Sequence, residues 1–337
     1  MRQRRFTGAS DTPISYYHCI SRIVNRDKIF RELEQEKFTQ LIHAYATFCG
    51  VEILTFCVMG NHFHILVAVP RRPDQLPTLD DFLLRLAGIA SAGHVEAMRA
   101  LLTPMEAAGR AVILEPYWDR MWNISTFMKE LKQRFSQWYN LRNDRKGYLW
   151  EERFRSALLD PEGNTLSTVA AYIDLNPVRA GIVADPKDYR WSGYAEAMAG
   201  KESALAGYQN LMKLLGVDPV DPMGALEAYR VILYDRGEQR GVNQPGEVPV
   251  VRLGLDPKVV AAVIAANGRL ERAAFLMCRI RYFQDGAVLG GKAFVEEAYQ
   301  RYRSQFGVNR KQGGRAAKYL GGSPIFVLRW LRIKPIG

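Results

Sequence analysis

Cysteine is scarce and scattered. Cys19, Cys49, Cys57 and Cys278 form no Cys-x-x-Cys pair in 337 residues, which excludes a disulfide framework and a zinc ribbon and predicts a reducing, cytoplasmic setting. No apolar run approaches a bilayer span, and the basic start Met-Arg-Gln-Arg-Arg-Phe leads into no apolar signal core, so no membrane partner is expected. A Gly-x-x-x-x-Gly-Lys-Ser/Thr loop and internal repeats are also missing, which removes P-loop nucleotide hydrolysis and solenoid architecture. From Arg301 onward acidic residues are absent beside nine Lys or Arg.

Apolar residues make up an ordinary globular 48%, and the net charge is +11 with a pI near 9.5. That length permits two domains or one with a large appendage, and that charge points to a polyanion. Histidine is rare, five in all, yet two fall one residue apart, at His62 and His64, within the stretch from Phe56 to Val69. Apolar runs on either side of Gly60-Asn61 predict a hairpin whose loop uses positive φ. Alternation along its second strand sends His62 and His64 to one face and Phe63, Ile65 and Val67 to the other, with Cys57 across from His64 and Met59 across from His62. Paired imidazoles on a stiff strand are either a solvated sheet face or part of a metal site.

Periodicity organises the rest. Tyr16 to Ile23 predicts a strand, and Phe30 to Phe48 an amphipathic helix ended by Cys49-Gly50. The order strand, helix, strand, strand predicts a helix laid on an antiparallel sheet, of α+β type. Residues 71–121 read as an insertion packed beside that sheet. A helix over 123–142, capped by Ser125, buries Phe127, Met128, Leu131 and Phe135 and presents Lys129, Lys132 and Arg134. With Arg145, Lys146, Trp150, Arg153 and Arg155 these cations form a basic stretch interleaved with aromatics, suited to phosphate contact and base stacking. Arg310 and Lys311 of the acid-free tail join them as candidate DNA contacts. Thr165 to Leu175 is helical in pattern and stopped by Asn176-Pro177, with Tyr172 and Asn176 one turn apart on one face; core packing and a turn are the plain alternative for that pair. The expected division is a domain over 1–200, a helix and linker over 201–250, and a basic, mainly helical C-terminal domain over 251–337.

Four blocks now stand in a familiar order: Gly60 to His64, Phe127 to Asn140, Leu149 to Phe154, and Ala171-Tyr-Ile-Asp-Leu-Asn-Pro-Val-Arg-Ala180. Over roughly residues 13–200 the chain resembles the REP-associated tyrosine transposases, relatives of the single-tyrosine HUH transposases, in which U is a bulky apolar residue, here Phe63. The resemblance implies an HUH endonuclease core, a ferredoxin-like antiparallel sheet with helices on one face, in which His62, His64 and Asn176 hold a divalent cation, Mg²⁺ or Mn²⁺, and Tyr172 is the nucleophile. Distant relatives often carry glutamine at the third position, and Asn176 is one methylene shorter. Also implied are single-stranded DNA with hairpin or palindromic repeats as partner, a monomer or homodimer as working unit, and a 5′-phosphotyrosine intermediate that permits strand transfer without ATP. The chemistry asks for these residue types. Neutral ligands leave the cation its full charge for a phosphate oxygen, and a phenol with a pKa near ~10 needs activation before it attacks. On the residues alone two rivals stay open: a metal-dependent hydrolase using His62, His64 and Cys57, and a non-catalytic nucleic-acid-binding protein on a ferredoxin-like sheet.

Overall fold

The computed structural model describes residues 6–9, 11–217, 221–238, 241–242, 250–251, 254–265, 286–306, 310, 313–316 and 326–329. Strand β1 (Ile14–Arg22) is the hub of its sheet. It pairs antiparallel with β3 (His62–Pro70) on one side and β4 (Arg155–Leu159) on the other, and β2 (Glu52–Val58) forms the edge beside β3. Helix α1 (Glu32–Cys49) connects β1 to β2, and α5 (Ile124–Arg142) lies between β3 and β4. The order β2-β3-β1-β4 is the ferredoxin-like α+β arrangement. Gly50, at φ 62°, closes α1 in the left-handed conformation that suits glycine.

The hairpin pairs Cys57 with His64 and Val58 with Phe63, and the Met59 N–H donates to the His62 carbonyl at 2.8 Å. Its two-residue loop differs from the expected kind, since neither Gly60 nor Asn61 has a positive φ. The loop is held from outside instead: the Phe30 N–H donates to the Gly60 carbonyl (3.0 Å) and Asn61 Nδ2 to the Arg26 carbonyl (2.9 Å).

Helices cover both faces of the sheet rather than one. Phe63, Ile65 and Val67 pack with Phe38 and Ile42 of α1 and Phe127 and Phe135 of α5. On the opposite face Leu66 and Ala68 pack with α6 (Thr165–Asp174), α8 (Gly193–Met198) and α9 (Glu202–Leu214) lie against β2, and α10 (Pro222–Gly237) packs on α6 and α9. The unbroken apolar run from Ile65 to Val69 is what a strand buried on both sides requires. The insertion forms α2 (Leu79–Ala87), α3 (Ala92–Leu102) and α4 (Ala107–Trp118), and it delivers Phe82, Leu86 and Trp118 to the α1 side.

Two expected helix boundaries shift. Asn123, not Ser125, caps α5, its Oδ1 accepting from the Ser125 and Thr126 N–H groups at 2.9 and 3.2 Å. Pro177 interrupts the tyrosine segment without stopping it: Leu175 keeps helical angles, and α7 (Asn176–Arg179) follows with Pro177 in its first turn, where a missing N–H costs least.

Beyond α10 the described residues include a short ladder of β5 (Gly241–Val242) with β6 (Val250–Val251), then α11 (Pro257–Ala265), β7 (Gly286–Gly290), α12 (Lys292–Arg301), β8 (Arg315–Ala316) and β9 (Phe326–Arg329). Strand β7 pairs parallel with β4, and β9 and β8 carry the sheet to seven strands. The C-terminal region thus contributes strands as well as helices. Lys311 and most of the expected linker lie outside the described residues. Among the described residues no helix is long and apolar enough to cross a membrane.

Asp174 pins α6 in place. Its fully buried carboxylate accepts from Thr55 Oγ1 (2.7 Å), Tyr208 OH (2.9 Å) and Tyr229 OH (2.6 Å), tying α6 to β2, α9 and α10. Burial raises its pKa from 3.8 to about 7 although the three hydroxyls pull the other way. The folded state therefore holds a proton that the unfolded chain releases. The contribution of this group to stability falls as pH rises from about 4 to about 7 and is level above that. Asp174→Asn is expected to remove this component. Across that window, denaturation midpoints should show the wild type losing on the order of a few kcal/mol relative to the variant; parallel pH profiles for the two proteins contradict the assignment.

Candidate metal and nucleophile site

Three imidazoles and a phenol meet on the sheet face beneath α6. The antiparallel register of β1 against β3 sets Ile20 opposite His64 and His18 opposite Leu66, so His18 shares the face of His64 and stands diagonal to it. The His62 and His64 ring centroids are 5.1 Å apart at 82°, and His18 stacks 5.2 Å from His64, with its Nε2 3.0 Å from His64 Nδ1. The Tyr172 ring of α6 meets His64 edge-on at 5.6 Å and His18 at 6.2 Å. Tyr172 is only 1% exposed. Arg179 of α7 places its guanidinium 5.3 Å from the centre of the Tyr172 ring.

Burial governs the charges here. It pushes His18 down to about 3 and His62 to about 4, the latter helped by Arg22, and it holds His64 well below the ordinary histidine value with help from His62, His18 and Arg22. At neutral pH all three rings are uncharged, and each keeps a lone pair. Burial also lowers the Arg179 pKa to about 10, which leaves it cationic. Neither of its terminal nitrogens has a hydrogen-bond partner among the described residues.

The two imidazoles offer nitrogens that suit a divalent cation, and among the described residues the one bond of the Asn176 side chain runs back to its own helix segment. His62 Nδ1 is engaged by Asn61 Oδ1 at 2.7 Å, whereas His64 Nε2 is buried with no partner, a state that a cation relieves. Asn176 Nδ2 donates to the Tyr172 carbonyl at 3.2 Å, so of its two amide atoms the oxygen is the one suited to a cation. Among the described residues no three His, Cys, Asp or Glu side chains are gathered for a metal, and two imidazoles with an amide oxygen suit Mg²⁺ or, better, Mn²⁺. Cys57 stands opposite His64 in the β2–β3 register; burial and the nearby Asp174 hold its thiol well above the usual pKa, and its Sγ donates to Met59 Sδ at 3.5 Å.

The candidate DNA residues divide into two groups. Lys129, Arg134, Lys146 and Arg153 are exposed. Lys132 is buried: its Nζ donates to the Glu152 carbonyl (2.9 Å) and lies 5.0 Å from the Trp150 ring centre, and Trp150 Nε1 donates to Ser136 Oγ (2.8 Å). Lys132 and Trp150 thus bind α5 to the segment leading into β4. Arg155 is paired with Glu152 at 2.5 Å, Arg145 donates to the Tyr148 carbonyl at 3.2 Å, and Arg310 donates to the Gly313 carbonyl at 2.7 Å and lies over Phe306. Between α5 and residues 147–154 runs a groove of about 860 Å³ lined by Lys129, Gln133, Tyr148, Trp150 and Arg153 among others; Tyr148 is 91% exposed.

His18 and Arg179 are the residues beside this site that sequence reasoning did not single out; Tyr148 lay within the basic, aromatic stretch that it did. A polar side chain in an apolar strand was the available signal for His18, and the Ala171–Ala180 block already contained Arg179.

Residues 13–76 match the family model described as "Transposase IS200 like". No curated protein matches the chain. A solved structure described as a REP-associated tyrosine transposase bound to a REP hairpin is 16% identical, over 59% of this chain and 85% of that one, with a TM-score of 0.35, a likeness too loose to bear on function. The matched segment, residues 13–76, holds β1, α1 and the His62–His64 hairpin, so the likeness to the IS200-like transposases lies in the part of the chain that carries the paired histidines of the first motif block.

Proposed function

We propose that the chain nicks and rejoins single-stranded DNA through Tyr172, with His62, His64 and Asn176 as ligands of a Mg²⁺ or Mn²⁺ ion. The observation that carries this reading is the packing of the Tyr172 ring against His64, on the face that His62 shares. When bound, the cation would polarise the phosphate and stabilise the charge that develops on it. Tyr172 supplies the attacking oxygen: the Tyr O–P bond forms, the P–O3′ bond breaks, and the phenolic proton ends on the leaving 3′ oxygen. The 5′-phosphotyrosine keeps the energy of the broken ester, so another strand's 3′-OH can reverse the step. Arg179, a buried cation beside the ring, favours the phenolate. In this closed form the phenol is screened from solvent, so the reading requires the face to open when a strand enters.

The groove beside α5 offers a path for that strand. Tyr148 provides a stacking surface, and Lys129 and Arg153 provide phosphate contacts, with Arg134 and Lys146 flanking them. Lys132, Trp150, Arg145 and Arg155 support the wall of the groove. Hairpin-bearing DNA as the partner follows the family resemblance, as do a cytoplasmic chromosomal substrate and a monomeric or dimeric enzyme. The basic C-terminal region, including Arg310 and Lys311, is proposed as an added DNA contact outside the catalytic unit of residues 1–200.

End-labelled single-stranded hairpin DNA incubated with Mn²⁺ and run on a denaturing gel separates the readings. Wild type and Tyr139→Phe should yield protein-linked label, and Tyr172→Phe should yield at least a hundredfold less while still binding DNA. Free cleaved ends without protein indicate a hydrolase, and chelator-insensitive binding without product indicates a binding protein. For the groove, Tyr148→Ala should weaken single-strand binding about tenfold, in keeping with roughly 1–3 kcal/mol per stacked base. Lys129→Ala should reduce the salt slope by about 0.7. Unchanged binding and slope would place the strand elsewhere.

A further inference from the structure

An imidazole can serve a metal only through a nitrogen that carries no proton, so a ligand histidine needs its other nitrogen committed as a donor. The hydrogen bonds around the pair supply that commitment. Asn61 cannot turn its amide over, because its Nδ2 donates to the Arg26 carbonyl at 2.9 Å. Its Oδ1 is therefore the atom lying 2.7 Å from His62 Nδ1. An amide oxygen only accepts. The proton of His62 must sit on Nδ1, and Nε2 is left bare.

His64 has no amide at its Nδ1. It has His18, whose Nε2 is 3.0 Å away, and one proton lies between the two rings. If His18 donates it, His64 Nε2 must carry a proton in a buried position with no acceptor. If His64 donates it, His64 Nε2 becomes a buried bare lone pair, and His18 keeps its own proton on Nδ1. Both His64 Nε2 and His18 Nδ1 are buried without partners, so either arrangement leaves one orphaned N–H on the pair. A cation at His64 Nε2 breaks the tie, because it satisfies the lone pair of the second arrangement and is repelled by the N–H of the first.

We infer that Asn61 and His18 are positioning residues that hold His62 and His64 as Nδ1–H tautomers, so that both rings offer Nε2 to one divalent cation. The inference rests on the metal reading above and assigns to Asn61 a second task beyond the hairpin loop. It also gives His18, on a strand distant in sequence, a task that requires a hydrogen-bond acceptor and not merely a side chain of its volume. Tautomer, not charge, is the variable.

Two measurements test it. Nitrogen-15 NMR of histidine-labelled protein reads which ring nitrogen is protonated: His62 should be Nδ1–H in metal-free protein, and His64 should be Nδ1–H once Mg²⁺ is added. Titration of free Mn²⁺ by electron paramagnetic resonance then reads affinity. Asn61→Ala and His18→Leu should each weaken Mn²⁺ binding about 10- to 100-fold, and His18→Gln, whose amide oxygen accepts in place of the imidazole, should recover most of that loss. Circular dichroism melts confirm that the variants fold, and Asn61→Ala, in the hairpin loop, carries the test if His18→Leu does not. The inference is overturned if His64 holds its proton on Nε2 in the presence of Mg²⁺, or if both variants bind Mn²⁺ within twofold of wild type. Wild type that binds no cation while His62 remains Nδ1–H removes the metal reading and the task of His18 with it, and leaves Asn61's hold on His62 standing.

Discussion

Burial of β3 on both faces is the constraint from which the rest follows. A strand covered on one side would leave His62 and His64 in water, with ordinary pKa values and no fixed neighbours. Because α6 closes the second face, His64 is dry, neutral and held against Tyr172 and His18, and the half-buried His62 is neutral and meets His64 edge-on. The dry face also makes each unpaired polar atom costly, and it therefore selects the few arrangements in which nitrogens and hydroxyls find partners or await one.

The polar groups that this layer admits anchor the helix behind the site. Asp174 is met by three hydroxyls from three elements, so the helix bearing Tyr172 is fixed from behind, while Arg179 approaches the ring from α7. Asp174 and its three hydroxyls thus position α6 from outside the site, the kind of support by which a scaffold lowers the entropic cost of bringing a reactive group to its target. The α1 and α5 side of the sheet has a different character. It is packed with aromatics such as Phe30, Phe38, Phe63 and Phe135, and beyond α5 it presents the groove with its exposed Tyr148.

Local patterns were legible in the sequence. The period of two at His62, Phe63 and His64 sorted the faces correctly, Gly50 marked the end of α1, and the first four elements gave an antiparallel sheet with a helix on it. Features that depend on distant partners were not legible. His18 lies 46 residues from His64 and meets it only through the β1–β3 register. Lys132 looked like an exposed cation because a helical wheel does not show that the segment around Trp150 folds over it. Pro177 read as a stop because the residue before proline usually leaves the helix, yet a new turn begins with that proline. The second helical layer went unrecognised although the apolar run of β3 implied it, and strand β7 beside β4 had no local signal, being joined through a long connection.

The central claim is that one tyrosine, Tyr172, takes the DNA. It is tested most directly by mapping the covalent link itself. Protein reacted with single-stranded hairpin DNA and Mn²⁺, stripped of excess DNA by nuclease and digested with trypsin, yields a peptide spanning Ser156 to Arg179 whose one tyrosine is Tyr172. Mass spectrometry should find the 5′-phosphonucleotide on that peptide, with fragmentation placing it on Tyr172. A nucleotide attached to the peptide bearing Tyr139, Tyr148 or Tyr189, with the Ser156–Arg179 peptide unmodified, would contradict the account.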